Sequence, residues 1–93
     1  MHVRWTDEAL ADLDDIVDFI ETESPTAARN VAVVIVDAAE TLTSMPHRGR
    51  PGSRPGTREL VLHPLEYIIT YEVIRDGVFI LRIHHGAQNV PRR

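Results

Sequence analysis

Residues 24–45, SPTAARNVAVVIVDAAETLTSM, decide the fold, because they can be read in two ways. The run Val31-Ala32-Val33-Val34-Ile35-Val36 has the β-branched composition of a buried strand. Against this, Ala28, Val31, Ile35, Ala38, Leu42 and Met45 recur at helical spacing over about five turns. Ser24-Pro25 adds a capping serine followed by proline at the first helical position. Length and cap together favour a helix over residues 25–45. Val33 and Val36 then lie off the apolar stripe, near Asp37 and Glu40; an isolated exposed valine needs no special explanation.

Upstream, Thr6 stands where an N-cap belongs, followed by Asp7 and Glu8, whose charges suit the positive end of a helix. Ala9, Leu10, Leu13, Ile16, Val17 and Ile20 form one apolar stripe, which predicts a first helix over residues 7–22. Phe19 lies off that stripe and is expected to cover an edge of the core. His2–Trp5 alternates weakly and reads as a short first strand.

Downstream, PHRGRPGSRPG at 46–56 holds three prolines and three glycines, so it is expected to be a loop without regular structure. It carries Arg48, Arg50 and Arg54, candidates for contact with an anionic target or partner. Three strand-like runs follow: Thr57–His63, Tyr67–Ile74 and Val78–His84. The last two are joined through Arg75-Asp76-Gly77, in which Asp-Gly is a favoured hairpin turn. Alternation places Tyr67, Ile69, Tyr71 and Val73 with Phe79, Leu81 and Ile83 against the helices. The opposite face, with Thr70, Glu72, Arg82 and His84, is left open. Val61, Ile68 and Ile80 would form an exposed apolar docking patch on it. The expected architecture is α+β: a short N-terminal strand and a two-helix hairpin packed on a three-stranded antiparallel meander, in the order β-α-α-β-β-β.

Ninety-three residues make a single domain spanning 1–93. No apolar run reaches the roughly 18–20 residues of a membrane span. The opening MHVRWTDEAL lacks the apolar core of a signal peptide, so a cytoplasmic location is expected. The absence of cysteine excludes disulfides and thiol catalysis. The histidines show no ligand spacing beyond the adjacent pair His84-His85, so neither a metal nor another cofactor is expected. Net charge is −4, but residues 1–45 hold ten acids against two arginines, while residues 46–93 hold four acids against eight arginines. Such asymmetry points to a partner. Every basic side chain is arginine, for which arginine-rich codon usage is a sufficient account.

Trp5, Thr6, Ala9, Asp12, Leu13 and Ile16 form the pattern W-T-x-x-A-x-x-D-L-x-x-I. Ser24-Pro25-x-Ala27-Ala28, Met45-Pro46-x-x-Gly49-Arg50 and Pro55–Val61 follow in order. Tyr67-Ile-Ile-x-Tyr71 and Ile80-Leu-Arg-Ile-x-His85-Gly-Ala-Gln88-x-x-Pro91 complete the series. Over nearly its whole length the chain thus resembles the ParE/RelE toxins of type II toxin–antitoxin systems, the ParE-like branch in particular. The resemblance implies a growth-inhibiting toxin, of the kind linked to plasmid stabilisation, held in a hetero-oligomer with a cognate antitoxin whose acidic or amphipathic C-terminal segment wraps it. ParE-like members poison DNA gyrase; RelE-like members cut mRNA on the ribosome.

A nuclease needs cations around the scissile phosphate and a general acid or base. Where the RelE pattern resembles D-Y-R-V-I-Y, this chain has Glu66-Tyr67-Ile68-Ile69-Thr70-Tyr71, with Ile68 in place of the arginine. The sequence closes at Arg93 with no tyrosine there to act as base. Arg58, Arg82, His84 and His85 remain as a candidate catalytic cluster, though both arginines could instead pair with Glu59 or Glu72. A gyrase poison needs no catalytic residue, only a surface; Arg48, Arg50, Arg54, Val61, Ile68, Ile80 and Arg82 are its candidate antitoxin or target contacts. Gyrase inhibition without catalysis is the first expectation, and ribosome-dependent mRNA cleavage the alternative.

Overall fold

The computed structural model describes residues 1–86. Its elements are β1 (His2–Trp5), α1 (Asp7–Glu21), α2 (Pro25–Glu40), β2 (Arg50–Pro51), β3 (Thr57–Leu62), β4 (Tyr67–Ile74) and β5 (Gly77–His85), with a short 3₁₀ turn at Thr41–Thr43. The caps act as the sequence predicts. The Thr6 hydroxyl accepts from the Ala9 N–H at 3.2 Å, and the Ser24 hydroxyl accepts from the Ala27 N–H at 3.1 Å. The helical period of residues 24–45 prevails over their β-branched composition, but α2 stops at Glu40, five residues before the expected end. Thr41 and Ser44 offer the backbone competing bonds there, with the Thr41 hydroxyl donating back to the Ala38 carbonyl at 2.6 Å. Met45 is consequently exposed.

The meander is the centre of a larger, mixed sheet of order β1-β5-β4-β3-β2. β1 runs parallel to β5, from His2 opposite Gly77 to Trp5 opposite Ile80. The proline-rich loop is not wholly irregular: Arg50 and Pro51 pair with Glu59 and Arg58 as an edge strand. Proline fits such an edge, where no ladder N–H is required of it. The hairpin turn is one residue earlier than the Asp-Gly pair suggests. Gly77 pairs with Ile74 inside the sheet, and Arg75 takes the left-handed conformation at φ 56°.

A bulge decides which side chains enter the core. Thr70 pairs with Arg82 but Tyr71 pairs with Ile80, leaving Leu81 as the extra residue. On its two sides the alternation of β5 is opposite. Val78 and Ile80 are fully buried on the helix side before it, and Ile83 after it. The expected inward positions of Phe79 and Leu81 are therefore wrong, since a strict period of two cannot cross an inserted residue. Ile80 belongs to the core, not to an exposed patch. Ile68 does face away from the helices, but only 7% of it is exposed, and Val61 beside it is half-buried. The predicted apolar docking patch does not exist in that form. The inward set of β4 is as expected: Ile69 and Tyr71 are fully buried, with Tyr67 and Val73 packed against the same cluster as Ala9, Ile35, Ala39 and Leu42. Leu10 and Phe19 are both exposed, so Phe19 does not cover the core.

Tyr71 also ties the arginine loop to this core. Its hydroxyl donates to the Pro46 carbonyl and accepts from the Gly49 N–H, each at 2.8 Å. A Cβ on Gly49 would lie 2.7 Å from that hydroxyl and 2.8 Å from the Glu59 carbonyl oxygen. Tyr71→Phe leaves two loop groups without their partner and should lower stability by about 1–3 kcal/mol. Gly49→Ala should cost more, because backbone must move. Urea denaturation of both variants checks this, and an unchanged midpoint for Tyr71→Phe would contradict the clamp.

Candidate functional site

Beyond Ile80, β1 no longer covers the outer edge of β5, and α1 takes over. The Thr6 hydroxyl lies 2.9 Å from the Ile80 carbonyl and 3.1 Å from that of Leu81. One turn and a half later, Asp12 accepts the Ile83 N–H at 2.8 Å and receives the Arg82 guanidinium in a two-pronged pair at 2.7 and 3.0 Å. The Asp12 side chain is 14% exposed and that of Arg82 57%. Burial raises the Asp12 pKa, but the bonds from Arg82 and the Ile83 N–H outweigh it, so the carboxyl titrates below its ordinary 3.8.

The sheet sets Arg58 apart from the other three candidate catalytic side chains, since Arg82, His84 and His85 line one concavity at the edge of β5. Arg82 and His84 pair with Thr70 and Ile68 on the open face. Arg58 pairs with Tyr71 on the helix side, where its guanidinium donates to the Gly49 carbonyl at 2.7 Å and that of His47 at 3.3 Å. His85 shares the column of Tyr67, with their rings edge to face at 5.2 Å. On the open face, a polar pocket of about 310 Å³ is lined by Arg54, Arg82, His84, Glu59 and Thr70, among others. Desolvation lowers the His84 pKa below 6.5; Glu59 and Asp12 oppose the shift, and Arg82 adds to it. Desolvation of the ring therefore favours the neutral imidazole over the imidazolium. Its Nε2 is buried and has no hydrogen-bond partner.

The loop arginines are likewise committed. Arg48 donates to the Thr41 hydroxyl at 2.8 Å, and Arg50 pairs with Glu59 at 3.1 Å. Arg54, among the described residues, makes no side-chain hydrogen bond or ion pair. Gln88 and Pro91 lie outside the described residues. Among the described residues no group of three His, Asp or Glu side chains is arranged to hold a metal, and no helix is long and apolar enough to cross a membrane.

A second concavity, of about 510 Å³, lies between α1 and the ends of β4 and β5. Asp15, Ile16 and Phe19 form one wall, Tyr67 and Ile83 the other, and the Asp12–Arg82 pair borders it. Sequence reasoning missed Asp12 and Phe19 as site residues. The available signals were the aspartate embedded in the Ala9–Ile16 words and a phenylalanine off its helix's apolar stripe.

Comparison with known proteins agrees with this architecture. The family model of the ParE toxin of type II toxin–antitoxin systems (parDE) matches residues 3–90. Y4kP of Sinorhizobium fredii is 44% identical, over 97% of this chain and 93% of its own length. Toxin RelE2 of Caulobacter vibrioides is also 44% identical, over 92% of this chain and 96% of its own. Among solved structures, the chromosomal ParDE toxin–antitoxin system from P. aeruginosa superposes with a TM-score of 0.81 at 32% identity, covering 91% of this chain and 95% of that one.

The Asp12 clasp gives a pH-dependent test. A carboxyl whose folded pKa lies below its unfolded value stabilises the fold above the ordinary 3.8, and that contribution disappears as pH falls through the lowered value. Asp12→Ala should cost about 1–2 kcal/mol near neutrality, most of it from the part-buried Ile83 N–H, because the exposed Arg82 is screened by solvent. The difference from the parent should shrink in urea titrations taken from about pH 7 to about pH 3. An equal deficit at both ends would exclude the ionised clasp.

Proposed function

The chain belongs to the ParE toxin family of type II toxin–antitoxin systems, and from that membership we propose that it inhibits DNA gyrase by docking and is silenced in a hetero-oligomer with a cognate antitoxin. The observation that carries the docking reading is the placement of Arg58 on the opposite face of the sheet from Arg82 and His84, with its guanidinium turned into the loop. A phosphodiester cleavage site needs its cations and its acid or base around one phosphate. Here Arg82 is neutralised by Asp12, and Arg58 is turned into the loop. Ile68, the position at which the RelE pattern carries arginine, is nearly buried. The P. aeruginosa relative, solved as a ParDE system, adds support for a ParE-like role and for an antitoxin partner.

Among the described loop cations, Arg54 is left to meet an anionic target, on a turn in which its carbonyl accepts from the Thr57 N–H at 3.1 Å and the Thr57 hydroxyl at 2.7 Å. The alternative, ribosome-dependent mRNA cleavage, has one feature in its favour: the polar pocket where Arg54, Arg82 and His84 meet. A small, open-face pocket in which Arg54 is, among the described residues, the cation without a side-chain hydrogen bond or ion pair is a weak basis for catalysis.

Toxin freed from its antitoxin should inhibit supercoiling of relaxed plasmid by gyrase, or trap its cleaved complex. The same preparation should leave a defined mRNA on ribosomes intact, or cut it slowly, since general acid–base catalysis typically supplies a factor of about 10²–10⁴. His84→Ala should alter neither result beyond its effect on folding. Rapid ribosome-dependent cleavage abolished by His84→Ala, with supercoiling untouched, would overturn the gyrase reading.

A further inference from the structure

A lone exposed phenylalanine on a small protein is ordinary. Phe19 is not alone: it is 76% exposed, the most exposed of the large hydrophobic side chains described, and it stands on the rim of the 510 Å³ groove. Ile16, Tyr67 and Ile83 continue the apolar surface inward. His84, whose buried Nε2 lacks a hydrogen-bond partner, reaches the same groove. Asp15 lines it too, and among the described residues it takes part in no ion pair. The wall that carries Asp15 is strongly anionic: α1 holds Asp7, Glu8, Asp12, Asp14, Asp15, Asp18 and Glu21 and no basic residue. Among the described residues, Asp12 alone of these takes part in an ion pair.

We infer that this groove is the seat of the antitoxin's neutralising segment, and that the segment brings a large apolar side chain for Phe19, Ile16 and Tyr67 and a basic side chain for Asp15. This rests on the toxin–antitoxin reading. The volume suits a few side chains of a short segment, whereas a large target would approach a flatter surface. The charge selects the chemistry. An acidic segment would be repelled by α1, and so would the phosphates of DNA or RNA. Buried aromatic anchors at the centre of a small interface carry a large share of affinity, which assigns the leading role to Phe19.

The test uses the full-length toxin and the antitoxin with which it co-purifies, with affinity measured by titration calorimetry. Phe19→Ser should weaken binding by about 30-fold, and Asp15→Arg by about tenfold at low salt, an effect that fades as salt is raised. Both sites are exposed, so the melting temperature of each variant should match the parent's. Val33→Ser, on the exposed outer side of α2, should bind as the parent does. Parent-like affinity in both groove variants would overturn the inference while leaving the toxin–antitoxin reading intact. So would a Phe19→Ser toxin that has lost gyrase inhibition but binds the antitoxin normally, since the groove would then face the target. A weakening by Asp15→Arg that does not respond to salt would overturn the basic contact. If the parent captured no antitoxin at all, the toxin–antitoxin reading would fall, and this inference with it.

Discussion

β5 is nine residues long and the strand beside it, β1, is four. That mismatch governs the rest of the molecule. An uncovered strand edge offers unpaired N–H and carbonyl groups to water or to any passing chain. Here the bare stretch beyond Ile80 is handed to α1, which meets it with the Thr6 hydroxyl and the Asp12 carboxylate. While Ala9, Leu13 and Ile16 of α1 pack on the core, Asp12 holds the helix against Ile83 at the edge of β5. Phe19 and Asp15 project there, and the groove is what remains between them and Tyr67. The bulge at Leu81 belongs to the same arrangement: it turns Val78 and Ile80 inward on one side and Ile83 inward on the other, while leaving Arg82 able to reach Asp12.

The same constraint accounts for where the positive charge goes. The second half of the sequence is rich in arginine, a composition that invites an expectation of phosphate binding. Four of the six arginines that lie among the described residues are used inside the fold instead. Arg82 holds α1 to β5, Arg50 joins β2 to β3 through Glu59, and Arg58 and Arg48 fasten the 46–49 segment. Chemistry on a phosphodiester needs cations that are available and convergent. A toxin that works by occupying a surface on its target has no such requirement, and its arginines can serve as struts.

Much of this was legible in the sequence, and the limits have physical causes. The capping pairs at Thr6 and Ser24, the helical period of α2 and the alternation of β4 are local signals, and each matches the structure. The inward set of β5 was misread at Phe79, Leu81 and Ile80 because a bulge is fixed by pairing between strands, which a single strand's alternation does not contain. Arg50-Pro51 was hidden by its composition, since a two-residue edge strand is made by its neighbour β3. Asp12 was visible as one letter of a family-like pattern, but its work is done 70 residues away, at Arg82. Phe19 carried the right signal, an aromatic off the apolar stripe, and was assigned to the core when it faces solvent.

The reading proposed for this toxin is that it disables gyrase by binding and cuts no RNA itself. Expression of the chain alone in a bacterium, followed by sequencing of RNA 5′ ends alongside a reporter of the DNA-damage response, tests it most directly. The account predicts a rising damage response and no new 5′ ends within translated messages. New ends spaced by codons, with the damage reporter silent, would contradict it.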